Sequence, residues 1–60
     1  MRKFNVIFEV FDNLGKKELK TVAVEAGNKK MAALRGMQAI NKLPGYSERF
    51  KNVKSIEEVA

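Results

Sequence analysis

From Lys3 to Phe11 the chain alternates: Phe4, Val6, Phe8 and Val10 fall on one side, and Asn5, Ile7, Glu9 and Phe11 on the other. A period of two in β-branched and aromatic residues predicts a half-buried strand. Asp12-Asn13-Leu14-Gly15 follows, with Asp and Gly at the first and last positions of a type I turn, where each is favoured. Lys16-Lys17-Glu18 is expected to prolong the loop. Alternation then resumes from Leu19 to Ala26, with Val22, Val24 and Ala26 against Thr21, Ala23 and Glu25. Two such strands around a Gly-containing turn predict an antiparallel hairpin.

Gly27-Asn28 closes the second strand, and Asn28 is a suitable N-cap because its side-chain oxygen can accept from an orphan amide. A helix is predicted from Lys29 to about Leu43. At about 100° per residue, Ala33, Gly36, Met37, Ile40 and Leu43 share one arc, flanked by Ala32 and Ala39. Met31, Arg35, Gln38 and Lys42 take the opposite side, with Leu34 at its margin. Gly36 on the inner arc predicts close approach of helix to sheet. Pro44-Gly45 ends the helix. Such a helix, about 22 Å long, covers one face of a small sheet and leaves the other bare.

Tyr46 to Phe50 is expected to be an irregular return with Phe50 tucked inward. Val53 to Val59 predicts a third strand anchored by Val53 and Ile56, whose odd spacing demands a bulge if both face the core. The rival reading takes Ser55-Ile56-Glu57-Glu58 as a capping box opening a helix, but too little chain follows to sustain one. The expected fold class is α+β, a small three-stranded sheet with one helix on one face in the order ββαβ, forming a single domain over residues 1–60. Its expected core is Phe4, Val6, Phe8, Val10, Val22, Val24, Ala33, Met37, Ile40, Leu43, Phe50 and Val53. The helix would act as a crossover, making the second and third strands parallel if they are neighbours.

At 60 residues the chain has a small core, and with no Cys it has no disulfide to reinforce it, so an oligomer is expected. The 45% hydrophobic and 32% charged composition is that of a folded domain rather than a disordered one. Asn5 and Glu9 interrupt the apolar run after Met1-Arg2-Lys3, and no stretch approaches the ~20 apolar residues of a membrane span. With the lack of Cys, this predicts a cytoplasmic protein.

The absence of His and Cys removes the commonest general base, the readiest nucleophile and the usual transition-metal ligands. Ser47 and Ser55 have no evident base, and Gly15, Gly27, Gly36 and Gly45 are too scattered for a phosphate-binding loop. Neither an enzyme, a cofactor nor a small-molecule substrate is expected. Binding remains. Ile7, Phe11 and Ala23 on the bare sheet face, with Met31 and Leu34 on the helix, are candidates for a protein interface, the partner being another protein or a second copy. The net charge of +5 also admits nucleic acid, with Lys29 and Lys30 at the helix start and Arg35 and Lys42 on its outer side as candidate contacts. Each of these residues also suits an ordinary solvated surface.

The stretch Val22-Ala23-Val24-Glu25-Ala26-Gly27-Asn28-Lys29-Lys30-Met31-Ala32 resembles a strand-to-helix junction common in short phage and mobile-element proteins. Phe50 to Val59 is similar to the final strand of those proteins. The resemblance implies an accessory protein of that origin and carries over no functional residue. A comparison with RNA-recognition motifs fails, because those stack bases on several sheet aromatics. Here only Phe11 is expected on the open face, beside Glu9 and Glu25.

Overall fold

The computed structural model describes residues 1–59. Strands β1 (Arg2–Phe11) and β2 (Lys17–Ala26) precede helix α1 (Lys29–Asn41) and strand β3 (Phe50–Val59), the expected ββαβ order. The sheet runs β2-β1-β3, and β1 is antiparallel to both neighbours. Strands β2 and β3 therefore point the same way but are not neighbours, and the crossover through α1 spans β1. The central place suits β1, which is apolar on one face from Phe4 to Val10 and carries Ile7 and Phe11 on the other.

The hairpin closes as its turn residues predict. Gly15 N–H donates to the Asp12 carbonyl at 3.0 Å, and the Asp12 carboxylate accepts from the Leu14 and Lys16 amides at 2.9 and 2.8 Å. Gly15 has φ 81°, which glycine adopts without a Cβ penalty. Because Asp12 organises the turn so tightly, Lys17 and Glu18 belong to β2 rather than to the loop.

Asn28 caps α1 by accepting from the Met31 amide at 2.9 Å. The helix stops at Asn41, short of Leu43, because Lys42 and Leu43 donate to Ala39 and Ile40 in tighter bonds at 3.1 Å each. Two successive turns then carry the chain to β3, with Tyr46 N–H donating to Leu43 O and Arg49 N–H to Tyr46 O, both at 3.2 Å.

Phe4, Val6, Phe8 and Val10 are fully buried together with Ala26, Ala32 and Ile40, while Val22, Val24, Met37, Leu43, Tyr46 and Ile56 pack around them. The buried helix arc is Ala32, Gly36 and Ile40, rotated slightly from the one expected, so Ala32 rather than Ala33 meets the core. At Gly36 an added Cβ would stand 3.0 Å from Val6 Cβ, Cγ1 and Cγ2, so the expected close approach is real.

The bulge inferred from Val53 and Ile56 is present. Val6 pairs with Ile56 and Ile7 with Ser55, but Phe8 pairs with Val53, leaving Lys54 without a partner. That extra residue restores both apolar anchors to the helix side. Val53 is nevertheless 37% exposed, not core, because α1 lies closer to β2 than to β3. Phe50 is also corrected. It begins β3, pairs with Phe11 and is 68% exposed on the face away from the helix.

Candidate protein-association face

The register sets out the open face in five rows across β2, β1 and β3. From one end they read Lys17-Phe11-Phe50, Leu19-Glu9-Asn52, Thr21-Ile7-Ser55, Ala23-Asn5-Glu57 and Glu25-Lys3-Val59. Directly opposed side chains in a sheet touch or nearly touch, so each row is a physical neighbourhood. Phe11 and Phe50 pack with ring centroids 5.7 Å apart and planes tilted by 48°, within the range of favourable aromatic pairs. Leu19 is 52% exposed in the next row. Glu9, the one acid at this end, is held by Lys17 Nζ at 3.2 Å. The apolar and aromatic end therefore gathers Ile7, Phe11, Leu19 and Phe50.

Of the residues expected at an interface, Ile7 and Phe11 are thus brought together. Ala23 shares their face but lies about 20 Å along the strands from the aromatic row. Met31 and Leu34 are exposed on α1, across the sheet from this face. Phe50 and Leu19 are the additions. Counting alternation back from inward-facing Val53 puts Phe50 outward, and Leu19 shares the parity of Thr21 and Ala23. Both signals are visible in the chain.

The candidate nucleic-acid contacts are divided. Lys29 and Lys30 open the helix, whose first turn has no acidic residue. Lys30 and Arg35 stand about 140° apart around the axis. Arg35 and Lys42 flank the side of α1 above β2, where Val24, Glu25, Gln38 and Ala39 complete a groove. Charge is partitioned by face. Lys3 and Lys17 against Glu9, Glu25 and Glu57 give the open face −1, which leaves +6 for the rest of the +5 chain.

Two polar clusters lie on the helix side. Arg2 donates to Glu58 through Nε at 2.7 Å and through a second nitrogen, and its guanidinium sits 5.4 Å from the Phe4 ring centroid. The hydrogen bonds from Arg2 hold the Glu58 carboxyl below its ordinary range, and the same bonds raise the Arg2 value. At the other end of the sheet, Tyr46 Oη donates to Glu18 Oε1 at 3.1 Å, and Arg49 Nη1 donates to the same oxygen at 3.2 Å. Donation to Glu18 favours the protonated phenol and pushes the Tyr46 value up. Arg49 and Lys20 stand 5.2 and 5.8 Å from the Tyr46 ring centroid, so this cluster ties the helix-to-β3 connection to β2.

Among the described residues, no three acidic side chains converge as a metal site, and no buried side-chain polar atom lacks a partner. No helix among them is long and apolar enough to cross a membrane. Compared with known proteins, the chain matches no family model, no curated protein and no solved structure.

Proposed function

We propose that this chain is a non-enzymatic association module whose open sheet face binds an apolar protein surface, first of all that of a second copy. The observation that supports this is the exposed aromatic row: Phe50 is 68% exposed against Phe11, with Leu19 and Ile7 beside it on the same face. The open face also carries charges of both signs, Lys3 and Lys17 with Glu9, Glu25 and Glu57, which a second copy can complement.

Three strands about 4.8 Å apart and about 33 Å long give a footprint near 500 Å² per copy. Roughly 1,000 Å² in total is at the low end of specific interfaces, so the expected association is weak and reversible. Sedimentation velocity from micromolar to millimolar concentration tests it. Wild type should shift from monomer to dimer, and Phe50→Lys with Leu19→Lys should remain monomeric with an unchanged melt. A wild-type chain that stays monomeric throughout rejects self-association and leaves a foreign protein as the partner.

Sequence-nonspecific nucleic-acid binding is the competing reading, favoured by the +6 outside the open face. It predicts oligonucleotide anisotropy that rises with protein and falls steeply with salt. Absence of binding at low salt rejects it.

A further inference from the structure

A second surface runs along the outer edge of β2. Asp12 N–H donates to Lys16 O across the hairpin at 3.0 Å, which makes 12 and 16 a bonded pair. Bonded and non-bonded pairs alternate in an antiparallel ladder, so Glu18, Lys20, Val22 and Val24 exchange bonds with β1. The N–H and C=O groups of Lys17, Leu19, Thr21, Ala23 and Glu25 consequently point away from the sheet. The two edges are not equivalent. The bulge at Lys54 interrupts β3, whereas β2 pairs without a register shift through 10 residues and contains no proline. A long unbroken edge is a template for one more strand.

Beside this edge, Val24, Glu25, Arg35, Gln38, Ala39 and Lys42 line a groove of about 440 Å³ between α1 and β2. Its helix-side wall is basic. Arg35 and Lys42 take part in none of the ion pairs among the described residues, and Lys20, on the same side of β2, faces the Tyr46 ring. Glu18, whose side chain is on the helix side of β2, is already occupied by Tyr46 and Arg49. Glu25, the one acid in the groove lining, lies opposite Lys3 in the strand register, so two cations face one acid there.

We propose that β2 and this groove capture an extended acidic segment of another protein by strand addition. The outward amides and carbonyls of β2 supply the main-chain bonds. Alternate side chains of the added strand, about 6.6 Å apart, project toward α1. Arg35 and Lys42, about 10.5 Å apart along the helix, meet acidic residues among them. A second copy is disfavoured here, because joining two β2 edges brings the Arg35 and Lys42 of both helices together. This surface is separate from the open face.

The test uses a labelled peptide as long as β2, alternating Glu with Val or Thr, titrated with the full chain in anisotropy. Binding that weakens with salt is expected. Arg35→Glu with Lys42→Glu should weaken it roughly tenfold or more. Ala23→Pro removes only an outward N–H, which an edge strand tolerates, and should weaken binding to a similar degree while circular dichroism and the melt stay near wild type. Phe50→Lys should bind as wild type, separating this result from the fate of the open-face reading. Absence of binding, or binding that survives Ala23→Pro in a folded chain, overturns the proposal. So does an oligonucleotide that binds more tightly than the peptide and loses affinity on the same charge reversal, because the basic wall would then serve nucleic acid.

Discussion

Replacing Gly36 by Ala sets two well-defined effects against each other. In an exposed helix the change would stabilise by about 1 kcal/mol through propensity alone. Here the new Cβ lands 3.0 Å from three atoms of Val6, well inside the ~3.5–4.0 Å at which carbon atoms attract. Relief is hard to find. Val6 is β-branched and stiff at χ1, and it sits on the central strand, paired with Val22 on one side and Ile56 on the other. Overpacking of this kind costs about 1–3 kcal/mol, so the net change should be a loss near 1 kcal/mol, or roughly 4–8 °C in a domain of this size. Urea and thermal melts followed by circular dichroism measure it. A double-mutant cycle isolates the cause, because Val6→Ala removes Cγ1 and Cγ2. The Cβ at position 6 still stands 3.0 Å away, so in that background Gly36→Ala should cost less than in the wild type, a coupling of about 1 kcal/mol. If Gly36→Ala instead stabilises the otherwise wild-type chain by the full propensity gain, α1 lifts freely off the sheet and the close-packing argument is wrong.

Four further outcomes are expected. The single tyrosine should titrate above the ordinary value of about 10 when phenolate absorbance is followed, and Glu18→Gln should bring it down. Because the folded value is raised, the stabilisation is complete below the unfolded pKa and disappears as pH rises through the folded one. Glu58 has the opposite sign: its depressed value gives stabilisation above the unfolded pKa that is lost as pH falls through the folded one. Urea midpoints of wild type should therefore drop more steeply in acid than those of Glu58→Gln. Asn28→Ala should cost about 1 kcal/mol in the same melts, since it frees the Met31 amide. Phe8→Ala, at a fully buried position, should cost about 3–5 kcal/mol, and a loss under about 1 kcal/mol would contradict the placement of that face in the core.

The hairpin, the capped helix and their order are legible in the chain because each rests on local chemistry. Period-two alternation, the Asp12–Gly15 turn and the Asn28 cap all act within a few residues. Even the bulge follows from a local conflict, the odd spacing of Val53 and Ile56. What escapes such reading is the position of elements relative to each other. Nothing near Val53 says that α1 leans toward β2, so an apolar residue of correct parity ends partly exposed. Phe50 reads as inward when the return before β3 is taken as irregular, whereas the strand begins at that residue and parity turns it outward. The central place of β1 depends on long-range pairing, although Ile7 and Phe11 on its second face hint at it. At the candidate interface, Ile7 and Phe11 are found from alternation, but their union with Phe50 requires the β1–β3 register. The same register leaves Met31 and Leu34 on the far side of the molecule.

The central position of β1 also governs the sequence of events when the chain assembles. β2 follows β1 after a five-residue connection, whereas the other flank of β1 must find its partner across the whole of β2, α1 and the turns after it. Until β3 arrives, β1 presents an unpaired rim beside a half-finished apolar layer. That late closure is the slow, long-separation step in an otherwise local topology. It makes the interval before β3 docks the period in which neighbouring chains compete for the same site.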